Sequence, residues 1–130
     1  MITIAKPKII IDEEVMLLTK TLEEKCTIVH CTYINNDGIA SLRIWPDTYI
    51  IEDNNDRRKL IKAFNISLMP DWTHHFNPQV YFTLVFEGLS SSCNAFHVIE
   101  DIRETGAFYT DEIQRNKTDV YNTVIMSKGE

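Results

Sequence analysis

A chain of 130 residues, 44% hydrophobic and 25% charged, is long enough to bury a core and is expected to form one domain over residues 1–130. Its 19 acidic and 13 basic side chains give a net charge of −6. This balance argues against a nucleic-acid partner, because binding a phosphate backbone needs clustered Lys and Arg. Membrane insertion is not expected either, since no stretch approaches the roughly 20 consecutive apolar residues that span a bilayer.

The N-terminal segment has neither a signal-peptide core nor a small-residue cleavage site. The chain as written is therefore expected to be cytoplasmic, and a periplasmic or envelope location is the alternative if a signal has been removed. Residues 12–25 (DEEVMLLTKTLEEK) fit two structures. Asp12 could cap a helix with apolar residues spaced i, i+3 and i+7, whereas Val15 and Leu17 alternate as in a strand. We favour a strand over roughly residues 8–18, because the neighbouring segments also have strand patterns.

Most of the remaining chain shows alternating apolar residues between turn signals, which is typical of short antiparallel strands. Strands are predicted at Thr27–Ile34, Ile39–Trp45, Thr48–Ile51 and Lys59–Ile66, in the runs that begin at Phe82 and Phe96, and at Asp119–Met126. The cluster Asn35–Gly38 (NNDG) is a strong turn signal, so residues 27–45 are predicted to form a hairpin. Asp53–Asp56 is a second turn, and the basic run Arg57–Lys59 beside it is assigned to the same solvated loop.

The stretch FTLVFEGLSSSCNAFHVIED, residues 82–101, is expected to be mostly core. Phe82, Leu84 and Phe86 share one face of a strand, and Phe96 begins the next buried run. Short strands with turn chemistry between them and few helical patterns indicate an all-β fold. The specific prediction is an antiparallel sandwich of two sheets.

Four segments give this pattern a family resemblance: TYIIED from Thr48, KLIKAFNI from Lys59, FTLVFEGL from Phe82 and FHVIED from Phe96. Over roughly residues 27–125, the chain resembles the immunoglobulin-like β-sandwich domains of bacterial secreted and envelope proteins. Those domains occur alone or before a thioredoxin-like domain. The resemblance implies an immunoglobulin-like fold and no catalytic residues, and without a Cys-x-x-Cys motif it carries no redox activity to this chain.

Three cysteines, Cys26, Cys31 and Cys93, are an odd number for a disulfide framework. On one strand, Cys26 and Cys31 would lie roughly 16 Å apart, beyond disulfide reach. We expect reduced, partly buried thiols.

Other side chains are candidates for chemistry. Glu87 and Glu100 could form an acid–base pair, but each ends a strand, where an exposed or edge carboxylate is the simpler expectation. The serines after Leu89 lack a nucleophile-elbow motif and are assigned to a turn. No catalytic residue is therefore assigned.

A metal site could use His30, Cys93 and His97 if the fold brought their strands together. The spacing fits no zinc motif, so a half-buried histidine and a core cysteine are the simpler interpretation. No metal or other cofactor is assigned.

The segment Pro70–Pro78 (PDWTHHFNP) is the longest without a strand pattern and is the best candidate for a binding loop. Within it, Trp72, His74, His75 and Phe76 could contact a sugar, a peptide or a partner protein. Alternatively, Trp72 and Phe76 could plug the open end of the sandwich.

The sequence thus predicts a non-enzymatic interaction or accessory module, with a protein or small ligand as its partner. A small-molecule or carbohydrate binder that uses the Trp72–Phe76 loop is the first alternative, and a metal-binding protein is the second.

Overall fold

A computed structural model describes residues 25–36 and 38–129, and these residues form strands, turns and loops with no helix. The all-β prediction is confirmed for these residues. The described strands are β1 (Thr27–Ile34), β2 (Ala40–Ile44), β3 (Thr48–Glu52), β4 (Arg57–Phe64), β5 (Ser67–Leu68), β6 (Thr73–His75), β7 (Gln79–Phe86), β8 (Ala95–Glu100), β9 (Phe108–Tyr109), β10 (Ile113–Gln114) and β11 (Val120–Ser127). In this part of the chain no helix is long and apolar enough to cross a membrane.

The main sheet has the strand order β10-β8-β3-β4-β7-β1-β11-β9. Its short strand β9 pairs with β11 and also with β8, through Ile99 and Tyr109. Seven strands, from β8 round to β9, therefore close into a barrel. Closure pairs the two edges that an open sheet would leave exposed. This arrangement differs from the two separate sheets that were predicted.

The predicted hairpin over residues 27–45 is wrong. Strand β1 pairs antiparallel with β7 and parallel with β11, whereas β2 joins β5 and β6 in a separate three-stranded sheet. Both faces of β1 are covered, since Ile28 and Val29 are each almost completely buried. Strand β1 is central in the main sheet because the distant strands β7 and β11 pair with its two edges.

The core forms where the alternation predicted it. Phe82, Leu84 and Phe86 of β7 are buried, together with Phe96 and Val98 of β8. The opposite face of β7 is also covered at one point, where Val85 packs in a smaller cluster with Ile28 and Phe64.

Two local predictions need correction. The basic residues Arg57–Lys59 begin β4 instead of lying in the preceding turn, and the supposed loop contains the short strand β6. The question of strand or helix over residues 12–25 lies, apart from Lys25, outside the described residues, as does the strand favoured for residues 8–18.

Candidate functional site

The small sheet positions most of the predicted loop residues. Strands β2 and β6 pair antiparallel, with Ser41 opposite His74 and Leu42 opposite Thr73. Because neighbouring residues on a strand point to opposite faces, Ser41 and His74 share one face and Leu42 lies on the other. Leu42 is buried in the core, so the face that carries Ser41 and His74 is the outer one.

The same alternation extends along both strands and defines an aromatic face on this outer surface. It comprises Ile39, Ser41, Arg43 and Trp45 from β2 and its flanks, and Trp72, His74 and Phe76 from β6 and its flanks. Three of its apolar side chains are largely exposed: Phe76 by 68%, Ile39 by 60% and Trp72 by 52%. Such exposure rules out the alternative in which Trp72 and Phe76 plug the fold.

Arg43 lies between two indole rings at the centre of the aromatic face. Its guanidinium carbon is 3.9 Å from the ring centroid of Trp72 and 5.5 Å from that of Trp45. One terminal nitrogen, Nη1, donates a hydrogen bond to the carbonyl of Pro70 at 3.1 Å, and Nη2 lies 3.8 Å from Glu104. Cation–π contacts within about 6 Å are attractive, so this stack holds both rings in a defined orientation.

His74 is also held in place. Its Nδ1 lies 2.7 Å from the hydroxyl oxygen of Ser41, its cross-strand partner. His75 belongs to the opposite face of β6, so the structure separates it from the other three predicted loop residues.

A cleft of about 210 Å³ lies beside the aromatic face, with Arg43, Trp45, Trp72 and Glu100 among its lining residues. Glu100 is buried, and the expectation of an exposed or edge carboxylate is wrong for it. Its Oε2 accepts a hydrogen bond from the backbone N–H of Trp45 at 2.8 Å, and its Oε1 accepts one from the backbone N–H of Phe108 at 3.0 Å. Burial raises the pKa of this carboxyl, although the two backbone bonds oppose the shift. Glu87 is exposed, as expected.

Glu52 is a second buried carboxylate, which sequence reasoning missed. Its Oε2 accepts bonds from Arg58 Nε at 2.7 Å and from the Ser90 N–H at 2.9 Å, and its Oε1 accepts the Ser90 hydroxyl at 2.5 Å. Burial acts to raise the pKa of Glu52, but these bonds hold it below its ordinary value. A hairpin prediction over β3 and β4 would have placed this ion pair. Ile50 pairs with Arg58, and Glu52 lies two residues beyond Ile50 on the same face of β3.

The residues proposed for a metal site do not form a ligand set. His30 Nδ1 lies 2.8 Å from the Thr83 hydroxyl, and the buried Cys93 thiol donates to the Ala95 carbonyl. His97 lies on β8 opposite Ile51. Within the described ranges, no group of three or more His, Cys, Asp or Glu side chains could hold a metal ion.

The two buried thiols, Cys31 and Cys93, are expected to be poorly reactive. Burial raises the pKa of the Cys31 thiol to about 12. The pKa of the Cys93 thiol is also raised, and burial is the largest cause. A thiol is nucleophilic as its thiolate, so neither side chain is activated.

Comparison of the chain with protein-family models, curated proteins and solved structures found no match.

Proposed function

We propose that this chain is a non-catalytic interaction module that binds a partner protein through its aromatic face. The observation that carries the proposal is the exposure of Trp72, Phe76 and Ile39 around an arginine stacked between two indoles. Tryptophan and arginine are the residue types that most often dominate binding energy at protein interfaces.

The aromatic face is also ordered before it binds. Arg43 is fixed by Trp45, Trp72 and the Pro70 carbonyl, and His74 is fixed by Ser41. A partner would therefore lose little free energy in ordering these side chains. A matching partner surface presents apolar side chains to Trp72 and Phe76. Binding would then remove the apolar surface of both partners from water.

Two features support a role without catalysis. Both oxygens of Glu52 and both oxygens of Glu100 already accept hydrogen bonds from the protein itself. The Cys31 thiol, with a pKa of about 12, is protonated at neutral pH. These groups serve the fold in their present geometry.

Kinship with bacterial immunoglobulin-like domains, and a cytoplasmic or alternatively an envelope location, are further proposals. The alternating strands and the quoted sequence segments support the kinship. An experimental structure would test it through the strand order, because an immunoglobulin-like sandwich requires two sheets packed face to face.

A carbohydrate ligand at Trp72 is the second candidate. One face of this indole lies against Arg43, and 52% of the residue remains exposed. A sugar ring could stack there, and titration with glycans would then change tryptophan fluorescence.

The test of the protein-binding proposal begins with a photo-crosslinking amino acid in place of Phe76, used in extract of the native cell. The same group in place of Ile61, which is 52% exposed on β4, is the matched control. A partner cross-linked at position 76 and not at 61 is identified by mass spectrometry and purified. Its affinity is then measured for wild type, Trp72→Ala and Ile61→Ala.

We expect Trp72→Ala to weaken binding by about 2 kcal/mol or more, the size of an interface hot spot, and Ile61→Ala to have little effect. The proposal fails if position 76 captures nothing beyond the control, or if Trp72→Ala folds and binds like wild type.

A further inference from the structure

A second groove lies on the other side of β6 and is separate from the aromatic face. Its volume is about 620 Å³, and residues from the β4–β5 junction, β6 and β7 line it. This size falls within the range of small-ligand sites, roughly 300–1,000 Å³. Thr73 and His75 contribute to it from the face of β6 opposite Trp72 and His74.

The groove has a neutral, polar lining. None of its nine described lining residues is Asp, Glu, Lys or Arg, although 25% of the whole chain is charged. The amides of Asn65, Asn77 and Gln79 each supply both donors and an acceptor. Hydroxyls of Ser67, Thr73 and Tyr81 can likewise donate or accept.

Internal contacts orient several of these groups. The Ser67 and Thr73 hydroxyls bond to each other, and the Tyr81 hydroxyl donates to Gln79 Oε1. The apolar side chains Ile66 and Val80 are buried at the groove, and Tyr81 is 62% exposed. The site therefore combines buried apolar residues, an accessible ring and the Gln79 amide, which Tyr81 orients.

His75 adds an unmet hydrogen-bonding need. Its Nε2 is shielded from solvent and has no hydrogen-bond partner in the structure. Buried polar atoms without partners are rare in native proteins, and because this nitrogen is shielded, a ligand hydroxyl would have to displace part of the groove lining to reach it.

We propose that this groove binds a neutral saccharide of two or three sugar units. Anionic ligands are disfavoured because the described lining contains no Arg or Lys, and metal cations because it contains no carboxylate. Vicinal sugar hydroxyls both donate and accept, which matches amide groups. The C–H face of a pyranose ring can pack on the exposed ring of Tyr81, since aromatic rings provide large, rigid apolar surfaces.

The test is an NMR titration of the full chain with maltose, cellobiose, mannobiose and N,N′-diacetylchitobiose, each to about 10 mM, which detects millimolar dissociation constants. Glucuronic acid serves as the anionic comparison. We expect one of the four disaccharides to shift the side-chain amide signals of Asn65, Asn77 and Gln79 and the backbone amide of Tyr81.

Variants then localise the binding. Gln79→Glu keeps the acceptor for Tyr81 but removes the amide donors, and Asn77→Asp makes the same change nearby. Each is expected to weaken binding about fivefold, the effect of one lost hydrogen bond. Asn122→Asp, an exposed position on β11 outside the groove, should bind like wild type.

The inference is overturned if none of the four disaccharides shifts the groove signals. It is also overturned if Gln79→Glu and Asn77→Asp bind the active sugar as wild type does. Shifts confined to Trp72 and Phe76 would overturn it as well, and would instead support a carbohydrate site on the aromatic face. Failure here leaves the protein-binding proposal testable, because that experiment uses a different surface.

Discussion

Glu52 shows how a single charged side chain can lie in the interior of this fold. It is only 2% exposed, and an isolated carboxylate there would be strongly unfavourable. One cation and one serine supply three hydrogen bonds to its two oxygens. The Arg58 side chain remains 27% exposed, and the pair connects β3, β4 and the loop before β8.

Removing the Arg58 side chain should show how strongly an unpaired Glu52 carboxylate destabilises the fold. We expect Arg58→Ala to lower the free energy of unfolding by about 2–3 kcal/mol at neutral pH, because Glu52 would remain buried without its partner. Urea unfolding monitored by circular dichroism measures the loss. Arg57→Ala is the matched control, since the Arg57–Asp101 pair has exposed side chains, at 47% and 54%, and should contribute less than about 1 kcal/mol.

This prediction has a defined pH dependence. The bonds to Glu52 hold its pKa below the ordinary value of 4.5, so its stabilising contribution is complete above pH 4.5 and is lost as the pH falls through the folded-state pKa. The stability gap between wild type and Arg58→Ala should therefore be widest at neutral pH and narrow in acid. A gap no larger than that of Arg57→Ala, or one that does not change with pH, would show that Arg58 does not compensate the Glu52 charge.

Strand β7 is the element whose role in the core is clearest from the sequence. Leu84 has no exposed surface and pairs with Val29 at the centre of the barrel. We expect Leu84→Ala to cost about 2–5 kcal/mol, from the lost burial and the cavity left behind. Ile61→Ala, at an exposed position on β4, should cost less than about 0.5 kcal/mol. Similar losses at the two positions in urea unfolding would show that the face assignment of β7 is wrong.

Strand positions could be predicted from the sequence, but strand partners could not. Alternation is a local signal, and it gave β1 its bounds, Thr27–Ile34, and assigned Phe82, Leu84 and Phe86 to one buried face. Pairing depends on contacts between distant segments. The turn at Gly38, where φ is +89°, has the chemistry of a hairpin, yet the strands on either side of it join different sheets. The local turn preference did not decide the pairing, because β7 and β11 occupy both edges of β1.

The aromatic face was partly predictable for a related reason. The sequence marked Trp72, His74, His75 and Phe76, because two aromatic rings and two histidines are concentrated between two prolines in the longest stretch without a strand pattern. Strand β6 was missed, since three residues are too few to show a period. Arg43 was missed because its importance comes from the β2–β6 pairing, which places it against Trp72.

At the scale of the whole molecule, the barrel contains most of the core, and the small sheet carries the surface that we propose for binding. The largest fully buried side chains come mainly from barrel strands, whereas the aromatic face and part of the neutral groove belong to the small sheet. A closed barrel supplies a rigid support on which short, exposed strands can carry binding residues.

The parallel pairing of β1 with β11 brings together the first and the last strand of the described chain. Cys31 lies at this point, opposite Thr123 of β11 and Phe82 of β7, and is 1% exposed. Its thiol can be used to test whether the barrel opens locally or only as a unit. We consider a protein in which Cys26 and Cys93 are replaced by Ala, so that Cys31 is the single thiol. A matched control replaces all three cysteines with Ala and adds Val124→Cys, an exposed position on β11 that is 49% accessible.

We expect a thiol reagent at about pH 8 to label Cys31 at least about a thousandfold more slowly than Val124→Cys, because burial raises the Cys31 pKa to about 12 and excludes the reagent. Its labelling rate should increase with urea as steeply as global unfolding does, since the thiol becomes accessible only when β7 and β11 separate from β1. Unfolding by circular dichroism in the same urea series gives the slope for comparison. A Cys31 rate that is slow but insensitive to urea would show that β1 detaches by a local opening. A rate close to that of Val124→Cys would show that the barrel is not closed at β1 and β11.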